Sequence, residues 1–372
     1  IGISQSFIGT QDCLMMQASS INTNAGDFRL AHACTNLAYA WSQPVLGGKF
    51  KQQAEDFQVE EILGFEPDGS GEHLFLFIEK TEMTTSDVQQ TLARHFNQAL
   101  NKVSYSGMKD KMGITRQWFC VQTTMAYQPE ATLELPGQIR VITACKNSRK
   151  LRIGSHRSNK FRIVVRELAG DRTDLALRLQ QVAQLGVPNY FGPQRFGNDC
   201  SSLLQAEQWF IGGKRETRRV RRSLMLSAAR AFLFNQVLSA RVSSKNWSKA
   251  LLGDVMALSG TASTFAAEKA ESDELLRRLS SMDIHPTGPL WGKGTLRTTD
   301  LVQELEQDIV SSYETLAQGL IKMGLEQDRR ALRLQVLQLH HELTGNDLKL
   351  EFTLPKGSYA TSVLRELINT DL

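Results

Sequence analysis

The sequence predicts an α+β protein: a core built on a mainly antiparallel sheet, interrupted by a largely helical block. Three observations lead there. Strand-like and helix-like segments alternate irregularly, without the βαβ rhythm of a parallel sheet. Composition shifts near Gly186, and most of the chain from there to about Leu339 carries helical periodicity. Strand-like sequence then returns at Leu348 to Leu354, so the helical block reads as an insertion into a domain whose last strand arrives late.

The first 35 residues hold only Asp12, Asp27 and Arg29 as charges and are rich in Ser, Asn, Gln and Thr. They lack a basic stretch followed by an apolar core, so they do not read as a signal peptide, and residues 1–35 are expected to be a disordered leader. Strand character begins near Gly47 and runs through EDFQVEEI, with Phe57 and Val59 on one face. After a turn at Pro67-Asp68-Gly69, the apolar run His73 to Lys80 suits a buried strand. A helix follows, with Ser86 and Gln89 as its capping box and Val88, Leu92 and Phe96 at helical spacing. Further strands are expected at Gln117 to Thr124, Gln138 to Ala144 and Phe161 to Leu168. Gly186 to Ser202, dense in Gly, Pro and Asn, reads as an ordered loop. Amphipathic helices are predicted over Ser223 to Val242, with Leu226, Phe232 or Leu233, and Val237 inside, and over Thr299 to Met323, with Leu301, Leu305, Ile309 and Leu316 inside. After the strand at Leu348 to Leu354 come a turn at Pro355 to Ser358 and a helix over Thr361 to Asn369.

Composition narrows the function classes. The 372 residues are 22% charged and 41% hydrophobic, ordinary for a globular protein of two domains. No apolar run approaches the roughly 18 residues of a membrane span. The five cysteines are scattered without a CxxC pair, and the seven histidines show no HExxH spacing, so a zinc site is not expected, and the thiols suit a reducing, cytoplasmic setting. Net charge is only +4, so affinity for a polyanion has to come from local clusters.

Two such clusters exist. Lys146 to Arg162 carries seven Lys or Arg and no acid; Lys214 to Arg222 carries six against Glu216. Arg149, Lys150, Arg152, Arg157 and Lys160 in the first, and Arg218, Arg219, Arg221 and Arg222 in the second, are candidate phosphate contacts. The first interleaves Asn159 and Phe161 with its cations, offering an amide for a base edge and a ring for stacking. The chemistry points to Asp110. In YSGMKDKMGITRQWFC this lone carboxylate stands between Lys109 and Lys111, with Gly107 and Gly113 free to turn the backbone on either side. Flanking cations favour the ionised form, which describes a nucleophile for an electron-poor or phosphate-bearing substrate; the alternative is a solvated surface turn.

With those residues assembled, the chain resembles the TruD family of tRNA pseudouridine synthases. The match rests on EDFQVEE (Glu55 to Glu61), SGMKDK (Ser106 to Lys111), RKLRIGSHRSNKF (Arg149 to Phe161), VPNYFGPQRFG (Val187 to Gly197), LMLSAARAFLFNQVLSAR (Leu224 to Arg241) and LPKGSYATSVLRELIN (Leu354 to Asn369), in that order. The resemblance implies a catalytic pseudouridine-synthase domain of residues 36–184 and 334–372, interrupted by an insertion domain at 185–333. It implies isomerisation of uridine in tRNA, at position 13 in the bacterial branch, without cofactor or metal, by a protein expected to be a monomer. Asp110 falls on the catalytic aspartate, Phe57 and Asn159 on base-pocket positions, and Phe161 on the aromatic that stacks on the flipped base. Tyr359 occupies a pocket position that is Phe in other members, and its extra hydroxyl needs a partner. Arg365 resembles the basic residue that pairs with the aspartate in related synthases. The competing readings are a tRNA-binding chaperone on the same fold, with catalysis secondary or lost, and an unrelated hydrolase using Asp110 with water.

Overall fold

The computed structural model describes residues 25–123, 135–213, 216–267 and 272–370. The first part carries α1 (Ala25–Thr35), β1 (Gly47–Phe50), β2 (Phe57–Leu63), β3 (His73–Thr81), α2 (Thr85–His95), β4 (Val103–Tyr105), β5 (Ile114–Gln122), β6 (Ile139–Asn147), β7 (His156–Ala169) and α3 (Leu175–Leu185). The middle carries β8 (Val187–Pro188), α4 (Ser201–Ile211), α5 (Arg219–Ser243), β9 (Val255–Leu258), β10 (Thr264–Ala266), α6 (Asp273–Ser280), β11 (Ile284–Leu290), α7 (Asp300–Ser311), α8 (Glu314–Lys322) and β12 (Asp328–Ala331). The chain closes with β13 (Arg333–Leu334), β14 (Leu337–Thr344), β15 (Asp347–Pro355), α9 (Ala360–Leu367) and β16 (Asn369–Thr370).

One ten-stranded sheet dominates, in the order β14-β15-β7-β2-β5-β3-β6, with β1 pairing β7 and β16, and β4 pairing β5. Its ladders are antiparallel except for β2 on β5 and β1 on β16, so the fold is α+β, as the irregular alternation implied. Alternation sets which face each strand buries. In β3, Leu74, Leu76 and Ile78 pack under Val88 and Leu92 of α2, while Phe75 turns to the other face against Cys120 and Leu151. In β7, Phe161, Ile163 and Val165 lie beside Phe352, Leu350 and Leu348 of β15, and α3 and α9 cover them. Fully burying one such side chain, Phe352 for example, contributes about 1.5–3 kcal/mol.

Several local expectations need correction. The cap of α2 is Thr84, whose hydroxyl accepts from Asp87 N while the Asp87 carboxylate accepts from Thr84 N. Gln89, expected in the capping box, instead donates to Leu100 O and Val103 O. The strand expected over Gln117 to Thr124 is β5, and Thr124 lies outside the described residues. Residues 25–35, read as part of a disordered leader, form a helix whose Leu30 and Cys34 join the apolar cluster of α4, α5 and α8. The rest of the leader lies outside the described residues.

The middle of the chain is helical in its larger part, but it also holds a four-stranded sheet, β10-β9-β11-β12. Strands this short show little periodicity, and β11 (IHPTGPL) contains two prolines, ordinarily a signal against a strand. Pro286 sits opposite Met256 of β9 and Pro289 opposite Arg329 of β12, because β11 changes partner between them. The helix expected over Thr299 to Met323 is two, α7 and α8, broken at Ser312-Tyr313. Leu301 is exposed; Val302, Glu306 and Val310 face inward, since Glu306 is drawn into the core by Arg329 at 2.8 Å. The helical reading to Leu339 also fails beyond α8, where β12, β13 and β14 follow. Where the chain enters and leaves this block, β8 and β13 pair antiparallel, Val187 against Leu334.

Candidate active site

The loop from Ser106 to Gly113 joins β4 to β5 and carries the Asp110 motif. Both β2 and β4 pair along β5, β2 at residues 114–116 and β4 at residues 119–121. Between them the Trp118 N–H donates to Glu61 Oε1 at 3.1 Å. The other oxygen of Glu61 holds Lys109 Nζ at 2.7 Å, an ion pair whose side chains are 0% and 6% exposed. Burial raises the Glu61 carboxyl above its usual range, against the pull of Lys109.

Other contacts fix the loop from each side. Thr85 Oγ1 accepts from Lys109 N and donates to Gln117 Oε1, and Gln117 Nε2 donates to Gly107 O. Ser106 Oγ accepts from His156 N at 2.7 Å and stands 2.7 Å from His156 Nδ1. Burial, reinforced by Lys109 and Lys356, pushes the His156 imidazole down to about 4, so the ring is neutral at physiological pH and Nδ1 accepts the serine hydroxyl. Gly154 N donates to Ser106 O, tying the RIGS turn of the first basic cluster to the loop. Gly113 has φ +121°, and a side chain there would place Cβ 2.3 Å from Phe57 O.

Asp110 itself is about half exposed, and its carboxylate is met by Lys51 Nζ at 3.0 Å. Its backbone carbonyl accepts from Lys80 Nζ at 2.8 Å; that ammonium also donates to Met83 O. Lys80 is fully buried, and burial lowers its ammonium to about 8 even though Asp110 favours its charge. The cations that position Asp110 are therefore Lys51 and Lys80. The expected neighbours do other things: Lys109 is committed to Glu61, so it is not part of a basic surface, and Lys111 is exposed to solvent. Successive side chains on an extended loop diverge, so adjacency in sequence misassigned the partner. Lys51 also lies 4.0 Å above the Phe57 ring, which links the aspartate to the aromatic residues.

Phe57 and Phe161 meet, and Asn159 lies two residues from Phe161 on the same face of β7. Val59 pairs with Phe161 and Glu61 with Asn159 across β2 and β7, and Phe161 stacks on Phe352 at 5.5 Å and touches Phe57 at 6.2 Å. All three are less than a tenth exposed. Asn159 Oδ1 is buried without a partner, an acceptor held open one register step from the Phe161 ring. Tyr359, just before α9, finds the partner its hydroxyl needs in Arg195, whose Nε donates to it at 2.9 Å. Arg365 does not reach Asp110. Its guanidinium donates to Leu37 O, Ala38 O and Glu366, and lies 4.0 Å over Tyr39 and 4.8 Å over Tyr190.

Of the basic clusters, Arg149, Lys150, Arg152 and Arg157 are exposed, and no carboxylate among the described residues pairs with them. Lys150 donates to Asn101 O. Lys160 is neutralised by Glu351 at 2.6 Å, and Arg218 and Arg221 share Glu216 at 3.1 and 3.5 Å. Arg219 is exposed and Arg222 half-buried; Lys214 and Arg215 lie outside the described residues. Lys51, Lys80, Glu61, His156 and Arg195 were not found from the sequence. Glu61, His156 and Arg195 lay inside quoted motifs; Lys51 and Lys80 did not.

Geometry of this kind, one carboxylate on a pinned loop at the start of a central strand of a mixed sheet, near a buried amide and stacked rings, defines an α+β protein with an aspartate-centred site. Comparison with known proteins gives the family. The family model described as tRNA pseudouridine synthase D (TruD) matches residues 35–203 and 200–367. Among similar proteins, the tRNA pseudouridine synthase D of Nitrosococcus oceani is 40% identical over 90% of this chain and 94% of its own length. That of Stutzerimonas stutzeri is 38% identical over 89% of this chain and 95% of its own length. The chain belongs to the TruD family. A crystal structure described as that of a TruD protein from Methanosarcina mazei shares the fold, with a TM-score of 0.70 at 22% identity, covering 91% of this chain and 97% of the other.

Proposed function

We propose that this protein isomerises uridine to pseudouridine in tRNA, most specifically at position 13, with Asp110 as nucleophile. The observation that carries the reading is the buried, unpartnered Asn159 Oδ1 beside Phe161 and the Asp110 loop. A buried acceptor left unmet costs about 1–3 kcal/mol, and the N3–H of an extruded uracil would satisfy it. Phe161, braced by Phe352 and Phe57, is the ring against which the base stacks, and Tyr359 closes the pocket from the start of α9. Asp110 attacks either C1′ of the ribose or C6 of the uracil. The N1–C1′ bond breaks, the detached base turns in the pocket, C5 bonds to C1′, and the bond from Asp110 to C1′ or C6 breaks, returning the free carboxylate. C5 then loses its proton and N1 finishes protonated, so composition is unchanged and no cofactor or metal enters the balance. Lys51 and Lys80 supply the positive environment that suits a carboxylate nucleophile and an anionic substrate.

The same reading divides the chain into a catalytic domain of residues 36–184 and 334–372 and an insertion domain of 185–333, consistent with the β8–β13 pairing where the two meet. It takes the protein to be a cytoplasmic monomer, whose exposed Arg149, Lys150, Arg152, Arg157 and Lys111 meet the RNA backbone. Among the described residues no helix is long and apolar enough to cross a membrane. The test incubates the protein with unmodified tRNA transcripts and maps pseudouridine by carbodiimide-dependent primer extension. A stop at position 13 supports the reading; unmodified transcripts throughout would overturn it.

A further inference from the structure

We propose that Arg195 and Arg330 form a clamp for one phosphodiester of the RNA backbone, next to the nucleotide that enters the pocket. The inference rests on the tRNA-isomerase reading and adds a substrate contact that the sequence motifs did not assign. Arg195 comes from the short turn Pro193–Arg195, and Arg330 from β12. Both guanidinium groups flank one ring, Phe191, at 5.6 and 4.2 Å from its centroid.

Their hydrogen bonds all run to neutral acceptors. Arg195 donates to Tyr359 Oη and, at 3.1 Å, to Ser227 Oγ. Arg330 donates to Asn189 Oδ1 at 2.7 Å and to Gly357 O at 3.0 Å. No carboxylate among the described residues lies within ion-pairing distance of either. The adjacent Arg329, on the opposite face of the strand, shows what compensation looks like: both of its terminal nitrogens are bonded to the Glu306 carboxylate. Arg330 Nε is buried without any partner, and so is Thr361 Oγ1 close by Gly192. Two charges of the same sign have been brought together without an acid to pair with either among the described residues. Burial and the neighbouring Arg195 together pull the Arg330 guanidinium down to about 10, the cost of holding the pair unneutralised.

A phosphodiester answers that need. It brings one negative charge and two non-bridging oxygens, to which planar guanidinium forks bind with well-defined geometry. The location fits as well. Gly357 O lies in the turn after β15, where Leu354 pairs with Asn159 and Pro355 with Ser158. Arg195 is one hydrogen bond from Tyr359, on the pocket wall. Gripping a backbone phosphate there would hold the sugar while its base is extruded and turned.

The test uses the full-length protein and tRNAs in which a neutral methylphosphonate replaces the phosphate on the 5′ or the 3′ side of the target uridine. Single-turnover kcat/KM is measured for the wild type, Arg330→Gln and Arg195→Gln. One of the two methylphosphonates is expected to lower wild-type kcat/KM by 10- to 100-fold. Arg330→Gln should lose a similar factor on all-phosphate tRNA and little more on the methylphosphonate, since the partner is already gone. Arg330→Lys, which keeps the charge but not the fork, should recover part of the loss. If Arg330→Gln unfolds, the wild-type and Arg195→Gln arms still decide the matter. A wild type indifferent to both methylphosphonates, or penalties that multiply in full, would overturn the clamp while leaving the isomerase reading intact. Absence of pseudouridine in every all-phosphate tRNA would instead overturn the isomerase reading, and the clamp with it.

Discussion

Replacing Glu61 by Gln tests whether the buried pair beneath the loop is what holds Asp110 in place. Glu61 and Lys109 are 2.7 Å apart with side chains 0% and 6% exposed, so solvent does little to screen them. The amide keeps the shape and one acceptor for Trp118 N–H, but it removes the charge opposite Lys109. Breaking a buried pair by neutralising one member costs about 3–5 kcal/mol, chiefly because the other charge is stranded. A compensating change, Lys109→Met added to Glu61→Gln, should return much of that loss. Function should suffer for a different reason. Lys109 precedes Asp110, and misplacing a reacting group by about 1 Å lowers rate by roughly 100-fold. The assays are urea unfolding and single-turnover pseudouridine formation on tRNA, with tRNA affinity measured in parallel. We expect Glu61→Gln to be destabilised by about 3–5 kcal/mol and slowed 10- to 100-fold, with affinity within a few-fold of wild type. A variant as stable and as fast as the wild type would refute the claim that this pair organises the loop.

Other outcomes follow from the same geometry. The His156 imidazole is held at about 4, below its ordinary 6.5, so its contribution to stability is complete above pH 6.5 and is lost as pH falls toward 4. Unfolding measured across that window should show a loss of about 3 kcal/mol that His156→Gln abolishes; an identical pH profile in the variant would disprove it. Gly113→Ala drives a Cβ to 2.3 Å from Phe57 O and should destabilise by about 3 kcal/mol or more, whereas Gly69→Ala, in open space at φ +77°, should cost about 1 kcal/mol by thermal unfolding. Replacing Arg149, Arg152 and Arg157 together by Ala should weaken tRNA binding and flatten the slope of log affinity against log salt by two to three units; an unchanged slope would mean these side chains are merely solvated.

The fold was legible where periodicity was strong. The buried run of β3, the alternation of β5 and β7 and the long apolar face of α5 all carried their structure openly. It was illegible where short elements depend on distant partners. The strands β9 and β10 are four and three residues long, and β11 tolerates its prolines only by exchanging neighbours. The site followed the same division. Asp110, Asn159 and Phe161 stand out by residue type among their charged neighbours, and Phe57 only through the resemblance of its motif. The groups that orient Asp110 could not. Lys51 and Lys80 are brought to it by the crossing of β1, β3 and the β4–β5 loop, while Lys109, its neighbour in sequence, is turned inward to Glu61. Arg365 was misjudged for a related reason. Its helix places it against Tyr39 and Tyr190, a packing contact no spacing rule reports.

The central claim is that the Asp110 carboxylate performs the chemistry while the surrounding surface performs the binding. Asp110→Asn preserves the Lys80 bond, which is made to the backbone carbonyl, and changes a side chain that is itself 46% exposed, while removing the charge that favours the buried Lys80 ammonium. The decisive measurement compares this variant with the wild type on unmodified tRNA, mapping pseudouridine by primer extension and measuring tRNA affinity on the same preparations. The expected result is a stop at position 13 with the wild type, no stop with the variant, and affinities within a few-fold of each other. Turnover by Asp110→Asn at the wild-type rate would contradict it.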